Sequence, residues 1–220
     1  MTRPANIDAV LDAGPIISVA TLTDADRAVE IARALARGGV PVIEVTLRTS
    51  AALNAIRAIA AEVPETIVGA GTVLSTADLE KAIDAGAAFI VSPGMTPTLW
   101  AAARDCPVPY LPAIQTPSEL MLGLEAGFTA FKYFPSHIGG PQGLKSLYGP
   151  YPTARFCPTG GVTLKNAPEF LLCPNVACVG GTWLTPDDAP YDRIEELARE
   201  ASTALGPLRG SRAPDRRPGP

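Results

Sequence analysis

Apolar and polar residues alternate along this chain in two rhythms. Short apolar and β-branched runs recur at Pro15–Ala20, Val42–Thr46, Thr66–Ala70, Phe89–Ser92, Pro109–Pro112, Ala130–Phe134, Arg155–Pro158 and Val176–Val179, each suited to a strand buried on both faces. Between them lie alanine-rich segments in which apolar residues return every three or four positions, such as Ala25–Ala36, Ala51–Ala61, Thr76–Ala85, Pro117–Glu125 and Pro141–Leu147. That is the period of an amphipathic helix. Glycines close several of them, Gly38–Gly39 before Val42, Gly86 before Phe89 and Gly127 before Ala130, where the chain leaves a helix through a left-handed residue. Eight βα units in 220 residues predict a single (β/α)8 TIM barrel over residues 1–205 rather than an open doubly wound sheet. Residues 2–12 are expected to add an N-terminal helix. The segment 206–220, rich in Pro, Gly and Arg, is expected to be a disordered tail.

Composition narrows the class. A 47% hydrophobic content supports one large core, and a net charge of −4 with no basic cluster outside the tail argues against nucleic acid as a partner. No apolar stretch reaches the ~20 residues needed to span a bilayer, and the N-terminus lacks a basic segment followed by an apolar signal core. These features predict a soluble cytoplasmic protein. Cys106, Cys157, Cys173 and Cys178 are scattered without paired spacing, as expected for free thiols rather than a metal site. His137 is the only histidine, which leaves little material for a histidine-rich metal centre.

Lys132 is one of four lysines and lies in the apolar and aromatic run Ala130–Pro135. Burial disfavours the ammonium form and would make the amine a nucleophile able to form a Schiff base with a carbonyl substrate. The same position also fits a lysine that snorkels outward from an edge strand. In a barrel the chemistry gathers at the C-terminal ends of the strands. Alternation puts Glu44 and Thr46 on one strand face, from which Glu44 can point toward Lys132, either as a proton shuttle or as a structural ion pair. Arg48, at the loop end of the same strand, suits a bidentate grip on a carboxylate, or a surface salt bridge. Glycine pairs follow strands seven and eight, Gly160–Gly161 with Thr159 and Gly180–Gly181 with Thr182. There, backbone N–H groups can approach a phosphate.

Together these motifs resemble the 2-keto-3-deoxy-6-phosphogluconate (KDPG) aldolase family, class I aldolases of the Entner–Doudoroff pathway. The resemblance rests on Glu44-Val-Thr-Leu-Arg48-Thr, Val68-Gly-Ala-Gly-Thr72-Val, Ser92-Pro-Gly94, Phe131-Lys132-Tyr-Phe134-Pro135, Phe156-Cys-Pro-Thr159-Gly-Gly161 and Gly180-Gly-Thr182-Trp-Leu, in that order over residues 15 to 200. It implies Lys132 as the Schiff-base lysine and Glu44 as general acid/base. Arg48 and Thr72 would lie near the pyruvyl carboxylate, Pro93 and Phe134 would line the pocket, and Thr159, Gly160, Gly161, Gly180, Gly181 and Thr182 would hold phosphate. It further implies a homotrimer that needs no metal or organic cofactor. The expected reaction is cleavage of KDPG to pyruvate and glyceraldehyde 3-phosphate. The alternatives are the 6-phosphogalactonate epimer, 4-hydroxy-2-oxoglutarate (KHG), or a non-catalytic phosphosugar-binding barrel. Three features depart from the family pattern. Ala113 and Gln115 stand where the family has Gly and a small hydroxyl residue, Thr182 replaces Ser, and Pro135–Pro141 is similar to the loop of 6-phosphogalactonate aldolases.

Overall fold

The computed structural model describes residues 6–210. Its elements alternate along the chain. First come α1 (Ile7–Leu11), β1 (Ile16–Ala20), α2 (Ala28–Arg37), β2 (Val42–Thr46), α3 (Ala52–Glu62), β3 (Ile67–Gly71), α4 (Thr76–Asp84), β4 (Ile90–Val91) and α5 (Pro97–Arg104). Then follow β5 (Tyr110–Leu111), β6 (Ala113–Ile114), α6 (Pro117–Glu125), β7 (Ala130–Tyr133), α7 (Ser136–Tyr148), β8 (Arg155–Pro158), α8 (Ala167–Leu171), β9 (Val179–Gly181) and α9 (Tyr191–Gly210).

The strands pair in parallel in the orders β5-β4-β3-β2-β1-β9 and β6-β7-β8. β5 and β6 are the two halves of the predicted fifth strand, parted at Pro112. Proline has no N–H for a ladder, but the Pro112 carbonyl still accepts from the Lys132 N–H at 2.8 Å. Parallel bridges Phe156↔Val176 and Thr159↔Gly180 join the two sheets on the other side. The result is a closed (β/α)8 barrel, as the alternation predicts. The eighth strand is displaced from its expected range: Val176 contributes only a bridge to β8, and the ladder with β1 runs over Val179–Gly181.

Alternation divides the core in two. Ile16, Ala20, Ile43, Val45, Phe131 and Phe156 face the helices, whereas Ile17, Val42, Phe89, Val91, Leu111, Ala130, Cys157 and Cys178 fill the barrel axis. α1 closes the N-terminal end of the barrel. Its Val10 and Leu11 join the axial cluster, and Arg155 ties the helix down by pairing with Asp8 and, at 2.6 Å, with Asp12. Of the helix expected over 2–12, the structure shows Ile7–Leu11, begun by the extended N-cap Asn6, and residues 2–5 lie outside the described residues. The other terminus corrects the sequence reading. Gly206–Gly210 belong to α9 rather than to a tail, because the apolar spacing through Ala201 and Leu205 continues past Pro207 to Leu208, which packs on the outer core. Packing of that face outweighs the low helix propensity of Gly and Pro. The rest of the expected tail, 211–220, lies outside the described residues. Among the described residues no helix is long and apolar enough to cross a membrane.

Candidate active site

With α1 sealing one end, the open end of the barrel is the C-terminal one, and there the polar residues of the axis collect. Glu44 on β2 is 3% exposed and Lys132 on β7 is 6% exposed. Lys132 Nζ donates to Glu44 Oε1 at 2.9 Å and to Oε2 at 3.2 Å. This settles the alternative for the lysine: it points inward and does not snorkel. Its register partners are Ala113 on β6 and Cys157 on β8, two small side chains. The Phe134 ring lies with its centroid 5.5 Å from Nζ, within reach of a cation–π contact.

The carboxylate is held from below by an absence of side chain. A Cβ on Gly71 would lie 2.2 Å from Glu44 Oε1 and 2.7 Å from Cδ, so only glycine leaves room for the acid where it lies. The next residue, Thr72, takes φ +60°, a left-handed conformation that is uncommon outside glycine. Its hydroxyl accepts from Arg48 Nε at 3.2 Å, and Arg48 itself is exposed. Thr46, two residues beyond Glu44, shares a 2.9 Å hydrogen bond with Thr21 at the end of β1.

Ser92 turns the chain after β4, donating to the Gly94 carbonyl at 2.5 Å while sharing a 2.5 Å contact with the Tyr110 hydroxyl. Half-buried Pro93 sits in that turn. Burial pushes the Tyr110 phenol up to about 12, with the Ser92 hydrogen bond acting in the opposite direction.

The glycine loops meet across the β8–β9 junction. Gly160 and Gly161 take φ +90° and +82°. Gly160 packs on Phe134 and Pro135, and Gly161 on the Cβ of exposed His137. The Ser136 and His137 N–H groups donate to the Thr159 and Gly160 carbonyls at 2.8 and 3.1 Å, which fastens the loop after β7 to the loop after β8. Thr159 is buried against Gly180, and its hydroxyl donates to the Cys157 carbonyl at 3.4 Å. Gly181 packs on the Trp183 ring, and Thr182 is exposed beside it. A cleft of about 290 Å³, lined in part by Thr21, Thr23, Arg27 and Thr185, opens at this rim. A cleft of about 400 Å³ lined by Val63, Thr66, Val68 and Ala88 lies at the opposite end, remote from Lys132. Among the described residues no group of three or more His, Cys, Asp or Glu side chains is placed to hold a metal ion.

A buried amine and carboxylate in hydrogen-bond contact, with a guanidinium and glycine loops at the same rim, can do imine chemistry on an anionic carbonyl compound. Comparison with known proteins agrees. The family described as KDPG and KHG aldolase matches residues 7–197. The chain belongs to that family of carbon–carbon lyases. The KHG/KDPG aldolase of Escherichia coli (strain K12) is 49% identical over 199 residues, covering 88% of this chain and 93% of that protein. The crystal structure of the KDPG aldolase of Zymomonas mobilis ZM4 with 3-phosphoglycerate superposes with a TM-score of 0.86 at 44% identity, covering 89% of this chain and 94% of that one. The KDPG aldolase of Legionella pneumophila, holding pyruvate as a covalent carbinolamine, gives 0.87 at 40% identity, with 89% and 97% coverage.

Sequence reasoning picked out Glu44 and Lys132, which the fold buries in contact with each other, but not the supports around them. The Glu44–Gly71 contact, the packing of Gly160 on Phe134, and the hydrogen bonds of Gln115 join residues far apart in the chain. A glycine inside an otherwise apolar strand was the one available signal for the first of these.

Proposed function

We propose that this protein is a class I aldolase that cleaves KDPG to pyruvate and glyceraldehyde 3-phosphate. The observation that carries the reading is the buried contact of Lys132 Nζ with Glu44 Oε1 at 2.9 Å at the open mouth of the barrel. Taking two ionisable groups out of water costs several kcal/mol each before their attraction is counted. A non-catalytic sugar-binding barrel has no use for that arrangement.

Proton transfer from Nζ to Glu44 frees the amine lone pair, which attacks the C2 ketone. Glu44 returns that proton to the carbinolamine oxygen and then relays a second proton from the nitrogen to the same oxygen, so that water departs, the carboxylate is regenerated and a protonated Schiff base remains. The Glu44 carboxylate then takes the C4 hydroxyl proton. The C3–C4 bond breaks, its electron pair moves into the Schiff base to give an enamine, and glyceraldehyde 3-phosphate leaves. Protonation of the enamine at C3 and hydrolysis release pyruvate and restore Lys132. Arg48, steadied by Thr72, grips the substrate carboxylate, and Pro93 and Phe134 line the pocket. Thr159, Gly160, Gly161, Gly180, Gly181 and Thr182 hold the phosphate, mainly through backbone N–H groups. Its attraction, remote from the breaking bond, orients the reacting carbons. No metal or organic cofactor takes part.

KHG is a second substrate in this proposal, supported by the paired activities in the name of the Escherichia coli relative. The enzyme acts as a homotrimer in the cytoplasm, within the Entner–Doudoroff pathway. Borohydride reduction in the presence of pyruvate, followed by peptide mass mapping, tests the central step. The adduct is expected on Lys132 alone in wild type and nowhere in Lys132→Arg, because guanidinium does not surrender its proton. An adduct elsewhere, or near-native turnover in Lys132→Arg, would refute the mechanism.

A further inference from the structure

Gln115 follows β6 and is half-buried at the rim of the barrel. Its backbone is fixed from one side: Gln115 N–H donates to Glu119 Oε2 at 2.8 Å, and the same carboxylate takes the Thr116 N–H in the capping box of α6. Its side chain reaches across to the segment that leaves the lysine strand. The carbonyls of Phe134 and Pro135 can only accept, so the amide nitrogen must face them. In that orientation it donates to both at 3.0 Å, and the amide oxygen accepts from the Tyr133 hydroxyl at 3.3 Å. One side chain thereby holds three consecutive residues that begin immediately after Lys132.

Those residues touch both halves of the site. Phe134 sets its ring 5.5 Å from Lys132 Nζ. Phe134 and Pro135 form the surface against which Gly160 packs, since a Cβ on Gly160 would meet them at 3.2 and 3.3 Å. The following N–H groups, of Ser136 and His137, are tied to Thr159 and Gly160. The Tyr133 hydroxyl lies against Gly139 and Gly143 of α7, so the staple extends into that helix. A small hydroxyl side chain at 115 has a single O–H and could serve only one of the two carbonyls.

We propose that Gln115 is a positioning residue, fixing the Tyr133–Pro135 segment so that the amine of Lys132 and the loop at Gly160 keep one relative placement. The proposal rests on the Schiff-base reading of Lys132. It is tested with Gln115→Met, which keeps the length and loses every side-chain hydrogen bond, and with Gln115→Glu. Loss of the three side-chain hydrogen bonds to the segment is expected to slow pyruvate trapping at Lys132 and to lower kcat by about tenfold in Gln115→Met, with KM changed by less than about threefold. In Gln115→Glu a carboxylate faces two carbonyl oxygens, and protonation restores one donor. Its kcat relative to wild type should therefore climb as pH falls from about 7.5 to 5.5, a recovery that mere filling of space would not give.

Native trapping and kcat in Gln115→Met overturn the proposal. So does a loss of activity no larger than the loss of folded protein, or a Gln115→Glu ratio that is flat with pH. A wild type that traps no pyruvate would strike the Schiff-base reading instead. The staple is then read from crystal structures: a shifted Phe134–Pro135 in Gln115→Met supports it, and an unmoved segment refutes it.

Discussion

Replacing Gly71 by Ala adds one methyl group at the end of β3, and that methyl points at Glu44. The backbone of Gly71 lies outside the left-handed region and tolerates an L-residue, so the nearest conflict is with the acid, whose Oε1 would lie 2.2 Å from the new Cβ. Restoring an ordinary separation of about 3.4 Å requires the carboxylate to move by about 1.2 Å. That is enough to break the 2.9 Å contact with Lys132 Nζ. A misplacement of ~1 Å in a reacting group costs on the order of 10²-fold in rate, so kcat for KDPG cleavage should fall by about that factor, measured as pyruvate released in a coupled assay. Gly69→Ala is the control. Its Cβ would lie 2.4 Å from the Phe89 ring in the axial core, so it should lower stability by about 1–3 kcal/mol through overpacking and leave the chemistry of the folded fraction intact. If Gly71→Ala turns over within about threefold of wild type, or if its crystal structure shows Glu44 unmoved, the steric account of this glycine is wrong.

Glu44→Gln should fold and bind substrate while losing ~10²- to 10⁴-fold in kcat, the usual contribution of a positioned acid/base; an unchanged rate would reduce Glu44 to a structural partner of Lys132. Gly161→Ala must hold φ +82° and would set its Cβ 2.8 Å from that of His137. KM for KDPG should rise by roughly tenfold or more while pyruvate trapping at Lys132 persists, and equal loss of both would mean the whole mouth had been disturbed. Tyr110 supplies the pH prediction. Its phenol is raised to about 12 by burial, so the folded state keeps a proton that the unfolded state gives up near pH 10. Stability is complete below that value and should be lost as pH rises toward 12, by up to ~2 kcal/mol. Urea midpoints between pH 9 and 11.5 should show this slope in wild type and a shallower one in Tyr110→Phe; identical slopes would refute it.

The strands were legible because parallel sheets bury both faces, so runs such as Val42–Thr46 and Ala130–Tyr133 stand out in the sequence. Boundaries set by pairing partners were less so. Nothing local says that Val176 bridges β8 while Val179 pairs with β1, or that Pro112 parts the fifth strand into pieces bonded to different neighbours. Leu208 shows the complementary failure. Composition marked Gly206–Gly210 as tail, whereas the position of one apolar side chain relative to Leu205 kept them helical.

The site divides along the same line. Glu44 and Lys132 announce themselves because an ionisable residue in a buried run demands a partner, and two such residues at the same level of one barrel can supply each other. Gly71, Gln115 and Tyr133 carry no such demand. A glycine, an amide and a phenol are at home in many settings, and what they do here follows from which atoms the register sets opposite them: an oxygen 2.2 Å from an absent Cβ, and two carbonyls 3.0 Å from one amide. Residues that react can thus be read from their cost of burial, whereas residues that hold the reacting ones in place become visible only when the strands are laid side by side.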